Sequence, residues 1–167
     1  MRSVLLSLIA SLLLSAAAQA APESRVAVLE FELNDLTLDP GNAAERERTA
    51  SIKPMLEKAL TEANHPTVAV NAATQQAADK GVGYLFDHAD AAAALGRAAG
   101  AQWVVVGRVH KASFLFVYFK AHVVNVATGE QAADLSVEVK GPQKALTVRG
   151  AEALAKQIAE VVAKVRI

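Results

Sequence analysis

Several stretches of the chain place apolar residues at every second position, the pattern of a β-strand with one buried face. Three of them, WVVVGRVH, FLFVYFKAHVVNV and EQAADLSVEVK, follow one another with short turns between them, which predicts a three-stranded meander. HPTVAVN predicts a further short strand between turn residues. The first predicted strand is RVAVLEFEL, and its apolar face consists of Ala27, Leu29, Phe31 and Leu33.

Other stretches follow the helical period of 3.6 residues. A helix is predicted in the segment after Ala43, and because Pro54 interrupts it, this helix either kinks there or begins near Ser51 with a serine cap. A short Ala-rich helix is predicted for 72–79.

Two more helices are predicted nearer the C-terminus. Asp87 is expected to cap the helix HADAAAALGRAAGA, and Gly100 to end it in a left-handed conformation. A long helix with one apolar stripe follows Pro142. The element order β-α-β-α-β-β-β-α predicts an α/β (α+β) fold in which helices pack on a single mixed sheet.

The turn ATG fixes the register of the last hairpin, because its Gly129 suits the left-handed position of a three-residue loop. This register sets Phe119 opposite Val137 and Lys120 opposite Ser136. Directly opposite residues share a face of the sheet. The predicted core face is therefore Leu115, Val117, Phe119, Ala121 and Val123 with Leu135, Val137 and Val139.

The second face of the aromatic strand has two possible roles. If Lys111 and Ala112 form the loop of the preceding hairpin, Phe116 lies opposite Gly107. One interpretation is that a helix covers this apolar part of the face. The other is that an exposed aromatic patch contacts a partner. The side chains on this face are Phe114, Phe116, Tyr118, Lys120 and His122.

The N-terminus has the pattern of a secretory signal peptide. Arg2 precedes the apolar run VLLSLIASLLLSAAAQA, which ends in the cleavage pattern Ala18-Gln19-Ala20. We predict a signal peptide in residues 1–20 and one domain in 21–167, with no membrane span after cleavage; an uncleaved anchor is the alternative. The chain has no cysteine, so neither a lipid-bearing cysteine nor a disulfide is available.

Charge and motifs exclude several classes of function. Without Arg2, 16 basic side chains remain against 17 acidic ones. The protein therefore lacks the excess of positive charge that is typical of nucleic-acid binding proteins. The chain lacks GxSxG, HExxH and phosphate-loop motifs, and we predict a protein that is not an enzyme and holds no cofactor. The loop after the first strand offers Asn34, Asp35 and Asp39 as oxygen ligands for a hard cation, or as residues that bond their own turn.

The segments RVAVLEFELND, YLFDHADAAAALGRAAGAQWVVVGRVHKASFLF and AHVVNVATGE resemble a bacterial family of secreted domains of unknown function. More distantly, the chain is similar to the N-terminal domain of TolB and to CsgG-like and LpoB-like periplasmic domains. The resemblance covers roughly 26–167 and implies a periplasmic interaction module whose partner is another envelope protein.

Two hypotheses follow for the exported protein. The first is an envelope accessory protein that binds its partner through the second face of the sheet. The second is a small-ligand or metal-ion binding protein that uses Asn34, Asp35 and Asp39. The partner-binding candidates of the first hypothesis are Arg108, Phe114, Phe116, Tyr118, Lys120 and His122.

Overall fold

The computed structural model describes residues 24–164, so the predicted signal peptide lies outside the described residues. The described part contains six strands and five helices. The strands are β1 (Val26–Val28), β2 (Glu32–Asp35), β3 (Thr67–Val68), β4 (Trp103–Lys111), β5 (Phe116–Asn125) and β6 (Gln131–Lys140). The helices are α1 (Ala43–Glu62), α2 (Ala72–Ala78), α3 (Tyr84–Asp87), α4 (Ala89–Ala99) and α5 (Lys144–Lys164).

All six strands belong to one mixed sheet with the order β3-β1-β4-β5-β6. β1 pairs in parallel with β3 and β4, and β2 pairs in parallel with the far end of β4. β4, β5 and β6 form the antiparallel meander. This arrangement confirms the predicted fold class.

Helices cover both faces of the sheet and create two cores. On the first face, Ile52 and Leu56 of α1 and Leu154 of α5 pack against strand residues that include Trp103 and Phe119. On the second face, α3 and α4 cover a core that includes Ala27, Leu29, Leu85, Phe86, Ala92, Ala93, Leu95, Val104, Val106 and Val124. Strands buried on both faces explain why WVVVG reads as a continuous apolar run.

The predicted first strand is divided by a bulge. Val28 pairs with Val105 and Glu32 pairs with Arg108, so three residues of this strand lie opposite two of β4. The extra residue places Phe31 in the first core, whereas Ala27 and Leu29 lie in the second. The prediction that these three residues share one face is therefore wrong.

The structure defines the starts of two predicted helices. α1 begins at Ala43 and continues through Pro54, so the alternative start near Ser51 with a serine cap is wrong. Asn42 is the N-cap, and its side chain accepts a hydrogen bond from the amide of Glu45. Asp87 is not the cap of α4: it ends the additional helix α3, and His88 occupies the cap position. Gly100 ends α4 with φ 74°, as predicted.

The two hairpins of the meander differ in how well their register was predicted. In the second, Phe119 pairs with Val137 and Lys120 with Ser136, as predicted, and only a bulge next to Val124 shifts its end. In the first, Lys111 is no loop residue and pairs with Val117, so Gly107 lies opposite Ala121. Leu115 therefore precedes β5, and its expected place in the core is wrong, because 68% of it is exposed.

Candidate functional site

Large exposed apolar side chains gather at one end of the sheet. Leu36 and Leu38 follow β2, Phe114 and Leu115 lie in the loop that leads into β5, and Phe116 is the first residue of β5. The two segments are adjacent, because the amide of Leu36 donates a hydrogen bond to the carbonyl of Lys111 at 3.0 Å. Leu38 is 98% exposed and Phe114 62%. We call this set the apolar tip: Leu36, Leu38, Phe114, Leu115 and Phe116.

Hydrogen bonds hold the loop of the apolar tip in one conformation. The amide of Ala112 donates to the carbonyl of Phe116 at 3.1 Å. The Ser113 hydroxyl oxygen accepts from the amides of Leu115 and Phe116 at 3.2 and 3.1 Å. The amide of Gly141 donates to the carbonyl of Leu115. The loop thus presents apolar side chains to water while its backbone groups are bonded.

A buried ion cluster lies directly beneath the tip. The Lys111 Nζ atom lies 3.3 Å from Asp35 Oδ2 and 3.2 Å from Glu45 Oε1, and all three side chains are at least nine-tenths buried. The Phe114 ring centroid lies 5.4 Å from the same nitrogen. Burying a charge costs free energy unless the charge is paired. The two carboxylates offset this cost for the Lys111 ammonium and hold it in place.

Arg48 extends the cluster to the loop before α5. Its guanidinium lies 3.5 Å from Glu45, and its Nε donates to Thr147 Oγ1 at 3.0 Å. Its Nη2 donates to the carbonyl of Gly141 at 3.2 Å. Burial lowers the pKa of Arg48, although Glu45 opposes this effect. Two cations and two carboxylates therefore tie β2, β4, α1 and α5 together at the base of the tip.

Asp35 is fully occupied by hydrogen-bond donors. Its carboxylate accepts from the amide and hydroxyl of Thr37 at 3.0 and 2.7 Å and from the amide of Gly41 at 3.0 Å. Burial alone would raise its pKa, but these bonds and Lys111 outweigh burial and lower the pKa of Asp35 to about 2. The hydrogen bond from the Thr37 amide to the Asp35 side chain is typical of an Asx turn.

The three candidate cation ligands belong to separate contacts. Asp35 binds Lys111, the Asn34 amide nitrogen contacts His110 Nδ1 at 3.3 Å, and the Asn42 side chain donates to Asp39 at 3.2 Å. Within residues 24–164, no group of three or more His, Cys, Asp or Glu side chains is arranged to hold a metal ion. The geometry gives the cation-binding hypothesis no support.

One half of the second face is covered by a helix. The Phe86 ring of α3 lies 3.7 Å from the ring of His122, and His122 Nδ1 lies 2.9 Å from the Phe86 carbonyl oxygen. The Arg108 guanidinium carbon lies 4.1 Å from the centroid of the same Phe86 ring, and Arg108 forms an ion pair with Glu32. Arg108 and His122 are therefore engaged inside the molecule.

The other half of the second face leads to the apolar tip. Tyr118 and Lys120 are half-buried there, and the Tyr118 ring lies 6.3 Å from that of His110. Phe116 is 43% exposed. The predicted partner-binding set is thus divided, with Phe114 and Phe116 at the tip and the rest along the sheet.

Sequence reasoning missed Leu36, Leu38 and Leu115 as members of the tip. A signal was present in LTLDPG, where leucines occupy a segment otherwise rich in turn residues. Apolar residues in a loop have no core to enter, so they indicate an exposed surface.

The model of the family DUF3280, described as "Protein of unknown function (DUF2380)", matches residues 24–158 of this chain. No curated protein matches the sequence. In the described residues, no helix combines the length and the apolar character needed to cross a membrane.

Three solved structures share the fold. The PelC dodecamer from Paraburkholderia phytofirmans aligns with a TM-score of 0.53 and 14% identity over 83% of this chain and 86% of that one. Lipoprotein GNA1162 from Neisseria meningitidis gives 0.53 and 16%, over 81% and 96%. TolB from Acinetobacter baumannii gives 0.52 and 12%, over 86% of this chain and 29% of TolB. The likeness to TolB is confirmed for the fold, and the likeness to CsgG stays a prediction.

Proposed function

This chain belongs to the DUF3280 family, and we propose that it is an exported accessory protein of the bacterial envelope that binds another envelope protein in the periplasm. The observation that carries the proposal is the apolar tip. Five large apolar side chains lie in two adjacent segments and remain in contact with water. Contiguous exposed apolar surface on a folded domain normally marks an interface.

Covering the tip in a complex buries apolar surface, which favours binding. Complete burial of one large apolar side chain is worth roughly 1.5–3 kcal/mol. Binding also costs the ordering of loops and side chains. Here the loop is already held by the Ser113 hydroxyl and by the ion cluster around Lys111. A preformed loop lowers this cost, which supports a binding role for the tip.

The N-terminal sequence and the fold support a location in the bacterial envelope. The signal-peptide pattern of residues 1–20 supports export. The solved structures with this fold include a lipoprotein and a dodecamer. This chain has no cysteine to carry a lipid, so it differs from lipid-anchored proteins. The absence of a catalytic motif supports binding as its role.

In-cell photo-crosslinking tests the proposal. The full chain is expressed with a photoreactive amino acid in place of Phe114 and, as a control, in place of Lys58. Lys58 is 77% exposed, and its position on α1 is roughly 20 Å along the helix from Glu45. We expect Phe114 to yield one dominant adduct with an envelope protein and Lys58 to yield none. Equal adducts at both positions, or none at Phe114, would contradict the proposal.

A further inference from the structure

β6 forms a long edge of the sheet. It is the last strand in the sheet order, so within residues 24–164 one of its sides has no neighbouring strand. It is ten residues long, contains no Pro or Gly, and has its one Lys at the final position. Proteins usually blunt such edges with short strands, Pro, Lys or bulges, because free N–H and C=O groups invite another strand.

The backbone groups that point outward belong to the even-numbered residues of β6. The amide of Gly141 donates to the carbonyl of Leu115, so the hydrogen-bonded pairs with β5 fall on odd-numbered residues such as Val139 and Val137. The amides and carbonyls of residues 134, 136, 138 and 140 therefore point away from β5. Within residues 24–164 no neighbouring strand pairs with them, so they are available for a second ladder.

The charges on β6 select its partner. On one face the strand carries Asp134, Ser136, Glu138 and Lys140, all exposed. Within one copy, Lys140 lies 3.4 Å from Glu138 and Asp134 lies 3.6 Å from His122, and both contacts are at the surface, so the two side chains can exchange these partners for those of a second copy. Suppose that a second β6 pairs antiparallel with this one so that Val137 lies opposite Val137. Asp134 then lies opposite Lys140 of the second copy, and the two-fold symmetry places Lys140 of the first copy opposite Asp134 of the second. On the other face, half-buried Leu135 then meets Val139 of the second copy.

Other symmetric registers are less favourable. With Ser136 opposite itself, Asp134 lies opposite Glu138 of the second copy twice, and like charges directly opposite are destabilising. With Leu135 opposite itself, Lys140 lies opposite Glu130, which precedes β6. The register about Val137 is the one that places both ionic pairs within the strands.

We propose that β6 pairs with β6 of a second copy of this chain in an antiparallel, two-fold dimer centred on Val137. The contact extends the sheet from six to twelve strands across the two copies. It lies on β6 rather than on the apolar tip, so this inference is independent of the proposed function and leaves the tip free.

The first test removes one outward amide. Ser136→Pro takes away an N–H that makes no bond to β5, so the fold is retained while the dimer ladder is broken. Full-length protein is expressed, recovered from the envelope, and analysed by sedimentation velocity at up to roughly 100 μM. We expect a dimer for the wild type and a monomer with an unchanged circular dichroism spectrum for Ser136→Pro.

The second test uses charge reversal and does not depend on proline. Lys140→Glu and Asp134→Lys are each expected to weaken dimerisation about tenfold, because two ionic pairs become repulsive, and the double variant is expected to restore it. Lys58→Glu, on α1, serves as the control and leaves the dimer unchanged. A monomeric wild type, a dimer unaffected by Ser136→Pro, or a double variant that does not recover would overturn the proposal.

Discussion

Asp35 is a residue whose ionisation is strongly altered by the fold. The fold lowers the pKa of Asp35 to about 2. Its carboxylate therefore stabilises the folded state fully above about pH 4, where this residue is ionised in the unfolded chain as well. The stabilisation is lost as the pH falls through about 2. The difference corresponds to roughly 2 kcal/mol. We predict that Asp35→Asn lowers the free energy of unfolding by about this amount at neutral pH. Urea unfolding between pH 5 and pH 2 should show that the free energy of unfolding depends less on pH in the variant than in the wild type. The same pH dependence in both proteins would contradict this account.

Gly107 is required by the bulge in the first strand. A Cβ atom at this position would overlap the ring of Phe31, which the bulge places against β4. We predict that Gly107→Ala lowers the free energy of unfolding by roughly 1–3 kcal/mol. The cost should be smaller in a Phe31→Leu background, since the ring is absent there. Additive effects of the two substitutions in thermal unfolding would show that the ring is not the cause.

At the scale of elements, the first meander hairpin depends on the Lys111 ion cluster. Lys111→Met leaves Asp35 and Glu45 buried without their ammonium, and we predict a loss of roughly 3–5 kcal/mol in the free energy of unfolding. Lys120→Met, on the half-buried second face, is the matched control and should change it by no more than about 0.5 kcal/mol. Equal losses for both variants in urea unfolding would argue against the cluster as the cause.

The two hairpins also show how far the sequence predicts this fold. The second hairpin was predicted because its turn is local: the glycine of ATG sets the register without reference to distant residues. The first depends on Lys111, which can be buried only because Asp35 of β2 and Glu45 of α1 pair with its ammonium. A lysine beside a loop looks like a solvated residue in the sequence alone. For the same reason the exposure of Leu115 could not be predicted.

At the scale of the whole molecule, one sheet offers two surfaces of different chemistry. The apolar tip lies at one end of β2 and β4, and the free edge of β6 runs along the side of the sheet. The sequence predicted the aromatic part of the tip through Phe114 and Phe116. It could not show that Arg108 and His122 pack against Phe86, because α3 is a single short turn without a clear helical pattern.

The central claim, that the apolar tip binds an envelope protein, is tested most directly by comparing two variants in which exposed apolar residues become charged. Leu38→Asp with Phe114→Asp alters the tip, whereas Val82→Asp alters an apolar side chain that is 89% exposed in another loop. The proteins are expressed at equal levels, and the envelope protein identified by crosslinking is quantified in affinity captures. We predict that the tip variant loses at least about tenfold of the captured partner, since two buried apolar contacts are removed, and that Val82→Asp retains it. Equal capture by both variants would contradict the assignment of the tip as the binding surface.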